Sequence, residues 1–248
     1  MTQDFLSPDR AVAHGGAVPP ARSPLHEKAR QAGARFVVRH GWEVTASYGP
    51  VAAEIAACQA SAGIVDRSHV GKLELQAPPD VLAACVAGRT DAPLTLGMAR
   101  DDGAAWWCPL TEDRAMVLAT RAPVGELRER LEEELAVEGG TVVDVTTGFA
   151  AIALAGPRAR DILARVTAID VRPQSLPECG FRPGSVARVP GMLLREHGDR
   201  LLVLCGSAHA VYMWLALSDA GRPLGAAHVG VDALERLDAV PARGLTHA

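Results

Sequence analysis

The chain has 248 residues, 48% hydrophobic and 22% charged, with a formal net charge of −4. This apolar content suffices for one or two domains with buried cores and excludes a disordered chain. The acidic excess argues against a nucleic-acid partner, which would need lysine and arginine clustered on one face.

No apolar run reaches the roughly 18 residues of a membrane span. The first residues lack the basic flank and apolar core of a secretory signal. Cys58, Cys85, Cys108, Cys179 and Cys205 are scattered, odd in number and never spaced as CxxC. They read as reduced thiols of a cytoplasmic protein rather than as zinc ligands or a disulfide framework.

In chain order, residues 1–22 are rich in Ala, Gly and Pro and read as a flexible tail. Ser23 and Pro24 open a predicted helix over 24–34, with Glu27 in its first turn. A short strand follows at 36–38, then a helix over 51–60 that Gly63 ends, then a strand at 64–66. Lys72-Leu73-Glu74-Leu75 alternates at the period of a half-buried strand, placing Lys72 on its face. Pro78-Pro79-Asp80 opens a helix through Val86. A strand at 115–118 precedes a helix over 126–136, with Leu127, Leu131 and Leu135 on one stripe. Strands are expected at 142–143 and 149–154. Gly156-Pro157 starts a helix with proline at its first position and Ile162, Leu163 and Val166 inward. A hairpin pairs 191–195 with 201–204. Ser207 caps a helix carrying Val211, Trp214, Leu215 and Leu217, and a last helix spans 230–239. Strands and helices alternate without sustained βαβ spacing, so the expected class is α+β with antiparallel sheets and flanking helices.

Several segments carry a family resemblance. Ser23-Pro24-Leu25-His26, Gly33-Ala34-Arg35, Gly41-Trp42-Glu43-Val44 and Tyr48-Gly49 resemble the opening of glycine-cleavage T-proteins, the aminomethyltransferases. Asp66-Arg67-Ser68-His69-Val70-Gly71-Lys72 follows at that family's distance, and Ala153 to Ala159 resembles its later strand-to-helix turn. Residues 156–225, with Phe181-Arg182-Pro183-Gly184, are also similar to the gamma subunit of heterotetrameric sarcosine oxidase. The resemblance covers 23–240 and implies two interleaved lobes around a central folate channel, with 241–248 a tail. The family's usual C-terminal barrel is expected to be missing.

The resemblance implies tetrahydrofolate as cofactor and an aminomethyl donor carried on a lipoyl protein. It also implies a pterin-facing carboxylate, whose place falls nearest Gly103 or Ala104, so Asp102 or Asp101 is the candidate. The competing reading of Asp101-Asp102-Gly103 is a solvated turn. Val70 would form an apolar wall. His69 either touches ligand or is a buried structural histidine. Trp106 either stacks on the pterin or belongs to the core, and with Trp107 next to it one ring should point in and the other out. Arg236 matches a family arginine. Two polar family positions fall on Leu202 and Val231, although Asp232 is kept. Each unpaired polar edge of a pterin there costs about 1–3 kcal/mol. Two functions follow. One is an aminomethyltransferase-like, tetrahydrofolate-binding protein of one-carbon metabolism with a degenerate site, which if active transfers a one-carbon group from a small amine-derived donor. The other is a non-catalytic sarcosine-oxidase-gamma-like subunit docking on an amine-oxidising flavoprotein, which the lost contacts favour. His197 and His209 read as surface residues of a hairpin turn and a helix.

Overall fold

The segment Phe-Ala-Ala-Ile-Ala-Leu-Ala (Phe149–Ala155, β10) shows why this chain must stack layers: almost every side chain is apolar, so both faces need cover. Ile152 and Leu154 turn to one side, Ala151, Ala153 and Ala155 to the other, and all five are buried. A computed structural model describes residues 19–239 apart from 91, 121 and 122. The expected tail at 241–248 and most of that at 1–22 lie outside the described residues.

Ala21–Arg22 forms a strand (β1) that pairs in parallel with Trp42–Ser47 (β3), which pairs antiparallel with Arg35–Arg39 (β2). The helix between them is shorter than expected, His26–Gln31 (α1), and the Ser23 hydroxyl accepts from Leu25 N–H just ahead of it. Val51–Ala60 (α2) has the predicted bounds, and Gly63–Asp66 (β4) follows. Gly63 therefore belongs to the strand. A Cβ there would lie 2.5 Å from Cys58 Sγ.

The next block forms its own sheet: Gly71–Gln76 (β5), Arg100–Asp101 (β6), Ala105–Pro109 (β7), Arg114–Ala119 (β8) and Thr141–Asp144 (β9), in the order β6-β7-β8-β5-β9. Pro79–Ala87 (α3) and Val124–Ala136 (α4) cover one face, where Leu73, Leu75, Trp107 and Val117 meet Leu82, Leu127 and Leu131. The last block is Ala159–Ala164 (α5), Phe181–Val186 (β11), Val189–Arg195 (β12), Arg200–Gly206 (β13), Ala210–Gly221 (α6), Ala227–His228 (β14) and Val231–Ala239 (α7). The larger sheet runs β11-β12-β13-β10-β4-β14. Strand β4 thus pairs with β10 across the whole intervening five-stranded sheet, which is what interleaves the two halves.

The architecture is α+β, as expected. The second core lies between the sheets, where Trp106, Met116 and Leu118 face Ala153, Leu202 and Leu204. Both indoles are therefore buried, Trp106 in this central layer and Trp107 under the helices. The expected exposed ring does not exist, because the five-stranded sheet is covered on both faces. Ser207 does not cap α6 but donates to the Thr147 carbonyl, and Pro157 precedes α5 rather than opening it. Val211 and Leu215, expected on the helix stripe, are exposed.

Glu54 locks the end of this assembly. Its carboxylate accepts from Tyr48 and Gly49 N–H in the turn before α2 and from Gly230 N–H, 2.8 Å away, in the turn before α7. Gly230 is needed there, since a Cβ would lie 2.0 Å from the Ala46 carbonyl oxygen. This contact sets where α7 passes over the central layer. No described helix is long and apolar enough to cross a membrane.

Candidate functional site

Between the two larger sheets, under α7, the central layer opens into a cleft of about 500 Å³. The turn after β4 contributes Arg67, His69 and Val70; β6 and β7 contribute Asp101 and Trp106. The β12–β13 turn brings Glu196 and His197, β13 brings Arg200, and α7 adds Val231, Leu234, Glu235 and Asp238. Val70, Trp106, Val231 and Leu234 make its apolar wall, and charged groups line the rest.

Local folding explains the turn at 66–70. Asp66 Oδ1 accepts from Ser68 N–H at 2.9 Å, and Ser68 Oγ accepts from Ala151 N–H at 3.2 Å, which pins the turn against β10. Arg67 is then aimed across the cleft. One Nη1 donates to both Glu196 oxygens, at 2.7 and 2.8 Å, with both side chains almost wholly buried. Arg200 lies on the far side of Glu196, its Nε 3.8 Å from the carboxylate, and pairs with Asp238. Arg39 pairs with Asp232 at 2.7 Å and with Glu235. The cations here are therefore largely compensated.

His69 stands half-buried in the wall. Burial, then the charges of Arg67 and Lys72, hold its pKa well below the usual histidine range, so it is neutral. Lys72 sits behind it with no exposed surface. Its Nζ donates to the carbonyls of Ser68 (2.9 Å) and Val70 (2.8 Å), and burial brings its pKa down to about 7. The alternation that suggested a half-buried strand is real, but the face holding Lys72 is covered by the other sheet.

His197 closes the mouth. Its Nδ1 lies 2.8 Å from Glu178 Oε1 and its Nε2 3.1 Å from Asp101 Oδ2, while the ring tilts against Trp106 at 5.1 Å between centroids. The Glu178 contact, then Asp101, raises its pKa above the ordinary value.

Residues 95–239 match the family described as the GCVT N-terminal domain. The chain belongs to this family. It is 31% identical over 237 residues to an aminomethyltransferase of Saccharopolyspora erythraea, covering 88% of this chain and 63% of that one. It is 29% identical to an aminomethyltransferase of Streptomyces coelicolor, covering 87% and 61%. The chain spans less than two-thirds of the length of these relatives. In structure it resembles aminomethyltransferase T of the glycine cleavage system from Bartonella henselae, with a TM-score of 0.67, 20% identity and coverage of 86% and 60%. It also resembles a chain of heterotetrameric sarcosine oxidase from a Corynebacterium species, with a TM-score of 0.65, 21% identity and coverage of 84% and 98%. Both likenesses establish a GCVT-type fold.

Within this GCVT-family fold the two candidate aspartates part company. Asp101 turns into the cleft, with Oδ1 accepting from Gly103 N–H and Oδ2 facing His197. Asp102 lies outside the lining. Its Oδ1 accepts from Ala104 and Ala105 N–H, at 2.8 and 2.7 Å, and its Oδ2 accepts from Trp107 Nε1 at 2.9 Å. It fastens the turn and anchors an indole. Val70, His69 and Trp106 all line the cleft, whereas Arg236 is exposed on α7 and outside it. Of the two apolar replacements, Val231 lines the cleft and Leu202 is packed in the central core. Arg67, Glu196 and Arg200 were not singled out from sequence, and His197, read there as a surface residue of the hairpin turn, is exposed as expected but also lines the cleft. Arg67 was visible in the Asp-Arg-Ser-His motif, but no local pattern links it to a glutamate 129 positions on.

Proposed function

We propose that this cleft binds tetrahydrofolate and that the chain acts in cytoplasmic one-carbon metabolism as a folate-binding GCVT-family protein with an altered aminomethyl-transfer site. The observation that carries the reading is the apolar wall of Val70, Val231 and Leu234, with Trp106 beneath His197, bordered by Asp101 on one side and Arg67–Glu196 on the other. A pteridine is flat and apolar on its faces, with donors and acceptors along its edge, and needs that combination. The residues present fit the ring. Asp101 would accept from pterin N–H groups, and the Arg67 guanidinium and Glu196 would serve polar atoms further along the edge. Aligned polar positions occupied by Leu202 and Val231 cannot do so, which is why the site is read as degenerate for transfer while still binding.

Calorimetric titration with tetrahydrofolate tests this. Asp101→Ala is expected to weaken binding by roughly tenfold or more, the loss of one charge-assisted hydrogen-bonding group. Asp102→Ala is expected to lower stability and leave affinity within about threefold. No heat with the unmodified protein, or a larger loss of affinity at Asp102 than at Asp101, would overturn the reading.

A second reading is favoured by α6, which exposes Val211, Tyr212 and Leu215 on one side. There the chain is a subunit of an amine-oxidising flavoprotein, in the manner of the sarcosine oxidase assembly that it resembles. Purification from the native host should then give a complex with flavin absorbance that Leu215→Glu dissociates. A protein that purifies alone, with the same mass as the variant, counts against it.

A further inference from the structure

His197 has both ring nitrogens against carboxylate oxygens, and carboxylates only accept hydrogen bonds. A neutral imidazole has one N–H, so one of the two contacts would become a meeting of lone pairs. Only the imidazolium, a donor at both nitrogens, satisfies Glu178 and Asp101 together. These partners come from different layers. Asp101 is on β6 of the five-stranded sheet, Glu178 lies in the segment before β11, and His197 is in the β12–β13 turn of the six-stranded sheet. The ring also covers Trp106, which is 3% exposed at the back of the cleft although His197 itself stands at the surface. In its own turn the neighbouring charges are Arg195, which donates to the Gly198 carbonyl, Asp199, which lines the second cavity with His197, and the compensated Glu196 and Arg200.

His197 also lines a second cavity of about 500 Å³, beside Cys58, Gly156 and Leu237, and shares with the first cleft only Arg200 and Asp238 besides itself. The side chain is therefore both the cover of the first cleft and part of its partition from the second.

We propose that His197 is a positioning residue that works as a proton-dependent clamp. Charged, it ties the two sheets across the mouth of the cleft, holds the Asp101 carboxylate turned inward and shields Trp106. Uncharged, it releases one carboxylate, and Asp101 and the turn lose their fixed placement. Ligand affinity then falls as pH rises through the His197 midpoint. The clamp deepens the folate reading and rests on it only for the identity of the ligand.

The ligand-free protein gives the first test. The His197 ring resonance, assigned with His197→Gln, should titrate above the ordinary value of about 6.5. Asp101→Asn and Glu178→Gln should each lower that midpoint. Acrylamide quenching of Trp106, identified with Trp106→Phe, should rise as pH passes the midpoint in the unmodified protein. In His197→Gln it should be high and independent of pH. In the second test, tetrahydrofolate affinity should fall by roughly tenfold over two pH units above the midpoint, as expected for a single linked proton with partial coupling. The fall should be absent from His197→Gln once the two affinities are compared at each pH, a ratio that cancels titration of the ligand itself. A His197 midpoint at or below the ordinary value, or quenching that ignores pH, overturns the clamp whatever the folate does. Quenching that follows His197 without any folate binding leaves the clamp standing and removes the folate reading instead.

Discussion

Glu196→Ala is expected to lower the free energy of unfolding by about 3–5 kcal/mol, measured by urea denaturation. Two considerations set the size. An exposed pair of this kind contributes about 0–1 kcal/mol, because water solvates each charge as well as its partner does. Glu196 and Arg67 are instead nearly enclosed, and Glu196 lies between two guanidiniums, Arg67 on one side and Arg200 on the other. Removing it leaves Arg67 without its anion in a poorly hydrated place, next to a second cation. Replacing the pair together, Arg67→Met with Glu196→Leu, should recover most of that loss, since two apolar side chains of similar volume need no compensation. The double variant should nevertheless bind tetrahydrofolate poorly, which separates the stability of the site from its chemistry. A loss of less than about 1 kcal/mol in Glu196→Ala would show that water reaches this pair freely.

Lys72 should make stability depend on pH in a direction opposite to that of a paired surface lysine. Its folded pKa is depressed by burial to about 7, against 10.5 for the free side chain. Below both values the amine is charged in the folded and unfolded states alike, and the full penalty of burying it is present. Between them the unfolded chain holds a proton that the folded chain has released, so stability rises with pH. Above both the penalty is gone. The largest slope for one proton is about 1.4 kcal/mol per pH unit. The measurement is the difference in unfolding free energy between the unmodified protein and Lys72→Met, from about pH 7 to about pH 9, a window set by the lowered pKa. Loss of the donors to Ser68 and Val70 carbonyls in the variant shifts the curve without tilting it. The buried thiols, whose pKa values burial raises, titrate in both proteins and cancel. The unmodified protein should gain on the variant as pH rises. Parallel curves would mean that Lys72 stays charged in the fold.

Much of the fold was legible because its signals are local. Val51–Ala60 and Val124–Ala136 carry apolar residues at helical spacing, and the short apolar run at 149–154 read as a strand, which the fold then covers on both faces. Strand β11 was not legible, since Pro183 and Gly184 within it argue against pairing. It forms because it is the edge strand, where an absent N–H is not missed. The helix expected at Gly156-Pro157 begins later. At Gly156, φ is +134° and a Cβ would lie 2.1 Å from the Cys58 carbonyl, a close approach that only the folded chain reveals. Within the site, Val70 and Trp106 could be read from the motif and from alternation. That Asp101 rather than Asp102 meets the cleft could not, because both suit the same turn.

The amino-acid order alone determined the strands and helices with clear periodicity, the α+β class and the family. It did so because each rests on neighbours a few positions apart. Which charges meet was decided only when the sheets stacked. Arg67 reaches Glu196 across 129 positions and His197 reaches Asp101 across 96. Whether a lysine is hydrated or enclosed, and whether a histidine holds its proton, depends on the layer that covers it, and that layer comes from a distant part of the chain.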